Sequence, residues 1–418
     1  MKSMASRIQD FLTNYYLDYD LSLLKKLTLV IPTYNRNYYL SRCLWYHAHF
    51  PFGQIIVADS SPDEKKIVNR ETVAKIREAF GTNILYIEYE PETEKYGGDI
   101  YRKWGDAVQH VVTEYSEVVT DKEFLLPNSV VTCLQYLEEH KDHIACGGKK
   151  YSICLKPFRK ISMSSDDYQL IQRKPNRSSE TESGVLERLK DAFLIANAWD
   201  KNLLLTIHRT DVQKYVFDLL RRYEINDIRY GELICAYAGY LFGKFHYVDS
   251  EIYKIRDIVY FQQSGGLNPN KKSSESSNTR YPYLSEYSEL DETNEFTERF
   301  IHCVSSELSI HTTVSFSDAE VVAKSITSFS ILSRFDSGKT TVITKIFNRF
   351  PVLKDCWSVF PYSLKRFIGK IYSLIFNQRI TVSNPLSADY SGDITLVTQT
   401  ILLSLAKHLS DLVIEELA

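Results

Sequence analysis

The sequence has little that would mark a secreted, membrane-spanning or nucleic-acid-binding protein. Its seven cysteines (Cys43, Cys133, Cys146, Cys154, Cys235, Cys303 and Cys356) are odd in number, scattered and never spaced as Cys-X-X-Cys. That excludes a disulfide framework and a cysteine zinc site, and reads as reduced thiols in a cytoplasm. No apolar run approaches the roughly 18 uninterrupted residues of a membrane span. Residues 1–26 carry acidic side chains without a continuous apolar core, so no signal peptide is expected. A basic excess is missing as well, since the formal net charge is -3 and the pI near 6.4, which argues against a nucleic-acid partner. The first apolar strand ends without a Gly-rich phosphate loop, which removes support for a nucleotidyltransferase.

What is present is a 418-residue chain, 44% hydrophobic and 25% charged, and so a soluble globular protein long enough for two domains. Residues 6–24 have helical spacing. Leu27 to Ile31 is an almost wholly apolar strand closed by Pro32-Thr33-Tyr34-Asn35-Arg36 and followed by a helical pattern over 39–49. A second strand at 54–58 ends in Asp59-Ser60-Ser61-Pro62, a helical stretch over 67–80 follows, and a third strand spans 83–89. Continuous apolar strands alternating with helices predict a parallel sheet covered on both faces, with ligands outside the carboxyl ends of the strands.

A further strand, Glu117-Val118-Val119, runs into Thr120-Asp121-Lys122-Glu123. On extended backbone Asp121 and Glu123 would share one side, which suits a divalent cation or a ribose; the alternative is a strand ending in a solvated turn. A helix over 128–140 and a strand at 144–148, ending in a close backbone approach at Gly147-Gly148, are expected next. Residues 160–187 are polar and turn-rich and read as a long loop or insertion, either a lid over an acceptor or a segment without a role. Residues 203–210 read as a strand ending in His208 and Arg209. Those two side chains face an acceptor or simply pack, and Trp199 stacks on a sugar or joins the core.

Ile31 to Arg36, Ala58-Asp59-Ser60-Ser61 and the helix over 102–113 ahead of the acidic triplet together resemble the nucleotide-binding half of family 2 glycosyltransferases with the GT-A fold. The Asp-Ser-Ser motif is most similar to a bacterial subgroup associated with surface polysaccharides. The resemblance covers residues 27–150 and, more loosely, 195–258. It implies a Rossmann-like, mostly parallel sheet flanked by helices in residues 1–260, with a mostly helical C-terminal region. It also implies a nucleotide sugar held by Thr33, Tyr34, Arg36, Asp59, Ser60, Lys103 and Asp121. Asp121 and Glu123 would hold Mn2+ or Mg2+ where the family has its Asp-X-Asp site. Lys122 departs from the subgroup's third carboxylate; it sits outside the site, weakens metal binding or itself neutralises phosphate, which keeps a CMP-sugar conceivable. Lys95 and Arg102 are further phosphate candidates.

Residues 226–256 resemble the part of these enzymes that supplies the catalytic base: an acid at a helix start, a glycine stop at Gly243, a strand, then Arg256. Glu232 falls at the base position and Asp227 is the reserve. Inverting transfer needs such a carboxylate to take the acceptor hydroxyl proton; otherwise either acid merely favours the helix N-terminus. Residues 261–295 read as a mobile linker or flap and 296–418 as helical. Within the latter, 345–379 mixes aromatics with Lys and Arg, as in a segment lying on an anionic membrane, a helix packed on the catalytic domain or a dimer contact. The expected function is transfer of a sugar to a hydroxyl of a glycan or lipid-linked acceptor, at the inner face of the cell membrane. A degenerate, non-catalytic glycan- or protein-binding module is the rival.

Overall fold

The computed structural model describes residues 20–91, 99–155, 168–173, 179, 184–190, 203–225, 227–257 and 295–334. Strand β1 (Leu27–Thr33) is buried at every position because both of its faces are covered. Leu27, Leu29 and Ile31 point into one core cluster and Val30 into the other. Strand β2 (Gln54–Asp59) alternates in the same way, with Ile55 and Val57 on the first side and Ile56 and Ala58 on the second. Two-sided burial is why these strands read as unbroken apolar runs instead of alternating ones.

The remaining strands are β3 (Ile84–Glu88), β4 (Tyr115–Val118), β5 (Glu123–Leu125), β6 (His143–Leu155), β7 (Tyr168–Arg173), β8 (Ile207–Arg209) and β9 (Lys244–Asp257). They form one open sheet in the order β3-β2-β1-β4-β8-β6-β9-β5, with β7 added beside β6. Pairing is parallel from β3 to β4 and between β6 and β9, and antiparallel at β4–β8, β8–β6, β6–β7 and β9–β5. The parallel half is the expected α/β arrangement, and the far half is mixed.

One face carries α1 (Asn37–Ala48), α2 (Asp63–Phe80) and α4 (Pro127–Glu139). The other carries α3 (Asp99–Gln109), α5 (Val185–Lys190), α6 (Thr210–Arg222), α7 (Ile228–Tyr237), α8 (Glu295–His311) and α9 (Phe316–Arg334). Helix α1 is tied to β5 by His47, which is fully buried. Its Nδ1 donates to Cys43 O at 2.8 Å while Nε2 accepts from the Leu125 N–H at 3.3 Å. Only the neutral ring satisfies both contacts, and burial lowers its pKa to about 4. The C-terminal helices are fixed to the same body by the buried Glu307 of α8, which accepts from Tyr215 Oη at 2.7 Å and Tyr223 Oη at 2.9 Å.

Several expectations change. Gly147 and Gly148 do not end a strand; β6 runs through them, and the missing Cβ atoms admit the side chains of Thr206 and Tyr253. The segment 160–187 is not wholly loop, because β7 within it pairs with β6. Only 207–209 of the expected strand over 203–210 is extended, since Leu205 turns the chain with φ 63. The helical expectation for 296 onward holds across α8 and α9. Residues 6–19, Lys95, Trp199, 261–294 and 345–379, for which the sequence carries expectations, lie outside the described residues. Among the described residues no helix is long and apolar enough to cross a membrane.

Candidate functional site

Strands β3, β2, β1 and β4 end on the same edge, and the order of the chain reverses beside β1, with β2 and β3 on one side and β4 on the other. In open α/β sheets the crevice at such a reversal is where ligands bind. Thr33 closes β1, Asp121 follows β4, and the Thr33 hydroxyl donates to Asp121 Oδ2 at 3.0 Å across that point. Arg36 Nη1 lies 3.3 Å from Asp121 Oδ1, with 49% of its side chain exposed. Burial raises the Asp121 pKa, and Arg36 and Thr33 oppose that rise.

The loops at this edge are stapled to one another. Asn35 takes a left-handed φ of 53, which asparagine tolerates better than most residues, and its N–H donates to Ser61 Oγ at 2.9 Å. That turn leaves the neighbouring Tyr34 ring exposed. From α3, the buried Lys103 Nζ donates to Thr33 O at 3.2 Å and to Ser60 Oγ at 2.7 Å. Its neighbour Arg102 stays on the surface.

Asp59 is fully buried. Oδ1 accepts from Ser61 N at 2.8 Å, and Oδ2 accepts from Asn69 Nδ2 at 2.7 Å and Tyr86 Oη at 2.5 Å. With protein donors on both oxygens, Asp59 shapes the loop after β2. Asn69 and Tyr86 escaped sequence reasoning because nothing in their spacing singles them out.

Asp121 and Glu123 do not lie side by side on extended backbone. Residues 120–123 form a turn in which Glu123 N donates to Thr120 O at 2.9 Å, and Glu123 begins a new strand, β5. The i, i+2 rule fails once a turn intervenes. Glu123 Oε2 accepts from Thr120 N at 3.3 Å and lies 3.5 Å from Lys254 Nζ. Lys254 also lies 2.6 Å from Glu117 Oε1, and Tyr253 Oη donates to Glu117 Oε2. Burial alone would raise the Glu123 pKa, but Lys254, Arg256 and Lys150 outweigh it and hold the carboxylate at about 2. Its first role is therefore a buried ion-pair network.

This donor set does not fit the divalent cation that the resemblance implies. Hard cations gather several oxygens, whereas here the one carboxylate facing the crevice is already engaged by Arg36 and the other is turned to Lys254. Among the described residues no three His, Cys, Asp or Glu side chains cluster to hold a metal. The surroundings are cationic instead. Lys122 is partly buried and makes no ion pair or side-chain hydrogen bond among the described residues. Burial first, then Arg256 and Arg36, lower its pKa to about 8. Arg256, paired in register with Glu123, has a buried Nε with no hydrogen-bond partner. Its neighbour Asp257 is closed off by Arg42 at 2.7 Å. Arg256 was seen in sequence only as the residue ending a motif. The available signal was its i, i+2 spacing from Lys254 on one strand.

Helix α7 packs on α3. Gly231 lies against the Tyr101 ring, where a Cβ would come within 2.8 Å, and Tyr101 sits two residues from Lys103. Glu232, partly buried, follows Gly231 on α7. Asp227 Oδ1 accepts from Tyr230 N at 3.2 Å, which caps the start of the helix. His208 and Arg209 face inward. His208 Nδ1 contacts Thr206 O at 2.9 Å, and Arg209 donates to His143 O at 2.9 Å and Leu137 O at 2.6 Å, holding the end of α4.

No family model matches the chain, and no curated protein matches it. Among solved structures, it is similar to residues 1–349 of S. aureus TarS, with 13% identity over 75% of this chain and 73% of that one, at a TM-score of 0.43. The same TarS fragment in complex with UDP-GlcNAc gives 14%, 75%, 74% and 0.43. The mannosyltransferase PcManGT from Pyrobaculum calidifontis, in complex with GDP-Man and Mn2+, gives 12%, 91%, 86% and 0.34. These scores are low, and the reading of the site rests on its own geometry.

Proposed function

We propose that the chain is a nucleotide-sugar-dependent glycosyltransferase whose donor binds in the crevice between the ends of β1 and β4. The observation that carries this is the Thr33–Asp121 hydrogen bond at the reversal point, set among cations that exceed the nearby carboxylates. Around the turn stand Arg36, Arg42, Lys122, Lys150, Lys254 and Arg256 against Glu117, Asp121, Glu123 and Asp257. Such a surplus favours an anionic ligand. The N-terminus of α1, which has no side-chain cap, lies at the same edge and adds its positive dipole end.

In this reading the exposed Tyr34 ring stacks on the base, and Thr33 with Asp121 meets the ribose. Asp59, Ser60 and Lys103 hold the loops that frame them. The leaving nucleotide develops negative charge that fixed cations stabilise without reorganisation. Glu232 takes the proton of the acceptor hydroxyl as that oxygen attacks the anomeric carbon, an inverting hexosyl transfer, with Asp227 holding the helix start. The acceptor is a hydroxyl of a glycan or lipid-linked oligosaccharide in surface polysaccharide synthesis.

A thermal-shift panel of UDP-, GDP-, CMP- and TDP-sugars tests the donor class. One nucleotide is expected to raise the melting temperature by several degrees at about 100 times its Kd, where bound ligand contributes about 2.7 kcal/mol. A flat panel would favour a non-catalytic glycan- or protein-binding module.

A further inference from the structure

We infer that this site neutralises a diphosphate with its own side chains, Arg36, Lys122 and Arg256, in the place where a divalent metal would otherwise act. The inference rests on the donor-site reading above and names the chemistry that recognises the phosphates.

The three cations come from three different elements. Arg36 ends the loop after β1, Lys122 lies in the turn after β4, and Arg256 lies at the end of β9. Lys122 and Arg256 are brought together by backbone pairing: Asp257 N donates to Lys122 O at 2.9 Å, and Arg256 stands in register with Glu123. Arg36 is aimed by Asp121 at 3.3 Å, so its remaining guanidinium donors are oriented before any ligand arrives. Arg256 presents a buried Nε that bonds to nothing among the described residues, and Lys122 lacks an ion-pair partner there. The buried Arg256 Nε, left without a hydrogen bond among the described residues, carries a desolvation cost that a bound anion would relieve.

A metal in the same space faces the opposite balance. Coulomb energies scale with charge, so a dication doubles each interaction with a neighbouring unit charge, attractive or repulsive. Beside Asp121 it would gain from one carboxylate and lose to Arg36 at similar range, before Lys122 and Arg256 add their repulsion. Glu123 cannot redress this while it is held by Lys254. A diphosphate bearing about two negative charges meets the reverse situation, since the same three cations attract it.

The test is calorimetric titration of UDP, GDP, CDP and TDP into the full chain, in EDTA and again in MnCl2. The matching diphosphate is expected to bind with the same affinity within twofold in both buffers. Lys122→Gln and Arg256→Gln are each expected to weaken it at least tenfold while leaving the corresponding nucleoside within twofold, and Mn2+ is not expected to restore the loss. Lys122→Asp, which supplies the missing carboxylate, is expected to make binding respond to Mn2+. Binding by the unmodified chain that falls tenfold in EDTA and returns with Mn2+ would overturn this inference and leave the donor reading standing. Absence of diphosphate binding in both buffers would overturn the two together. The comparison of buffers needs no variant, so a misfolded substitution does not decide it.

Discussion

Replacing Lys254 with methionine is expected to lower the unfolding free energy by about 3–5 kcal/mol, read from the urea midpoint at neutral pH. Lys254 is 1% exposed and serves two carboxylates, Glu117 at 2.6 Å and Glu123 at 3.5 Å, as well as Leu205 O at 3.0 Å. Removing it leaves two buried acids without their principal cation, and the cost of a stranded charge is far larger than the net stabilisation of an intact pair. The contact to Leu205 adds to this, because that residue sits at a positive φ and its carbonyl is also held by Lys150 at 2.8 Å. A triple variant, Glu117→Gln, Glu123→Gln and Lys254→Met, is expected to recover most of the loss, since the two acids that the single variant strands are then uncharged. A change below about 1 kcal/mol in the single variant would show that the network contributes little.

Glu232→Gln is expected to lower kcat for sugar transfer by about 10²–10⁴ while leaving the donor Kd within twofold of the unmodified chain. The amide has nearly the same shape but cannot accept the acceptor proton, so loss without a change in binding isolates the basic role. Glu232 follows Gly231, which packs on the Tyr101 ring of α3. Asp227 is assigned the helix cap, and Asp227→Asn is expected to keep turnover within about fivefold because asparagine caps nearly as well. Donor hydrolysis gives the same readout when the acceptor is water. Near-normal turnover of Glu232→Gln would remove it from the reaction.

The first half of the sheet was legible because its physics is local. Strands β1 and β2 are covered on both faces and their residues advertise it, so the boundaries at Leu27 and Gln54 agree with the reading. The convergence of Thr33, Asp59 and Asp121 on one edge followed from topology alone. Side-chain direction did not follow, because it depends on partners far away in sequence. Glu123 is claimed by Lys254, 131 positions on, and Asp59 by Asn69 and Tyr86. The mixed half of the sheet was obscured for another reason: glycines that permit close strand packing at 147 and 148 look the same in sequence as glycines that end a strand.

Occupation of the crevice between β1 and β4 by a nucleotide sugar is read out by hydrogen–deuterium exchange of the full chain at saturating UDP-, GDP-, CMP- and TDP-sugar. One of them is expected to slow exchange of the backbone amides at residues 34–37, 60–61 and 120–123 by at least tenfold, with α8 and α9 unchanged. Unaltered exchange in those three loops with every nucleotide sugar, or protection confined to other parts of the chain, would contradict it.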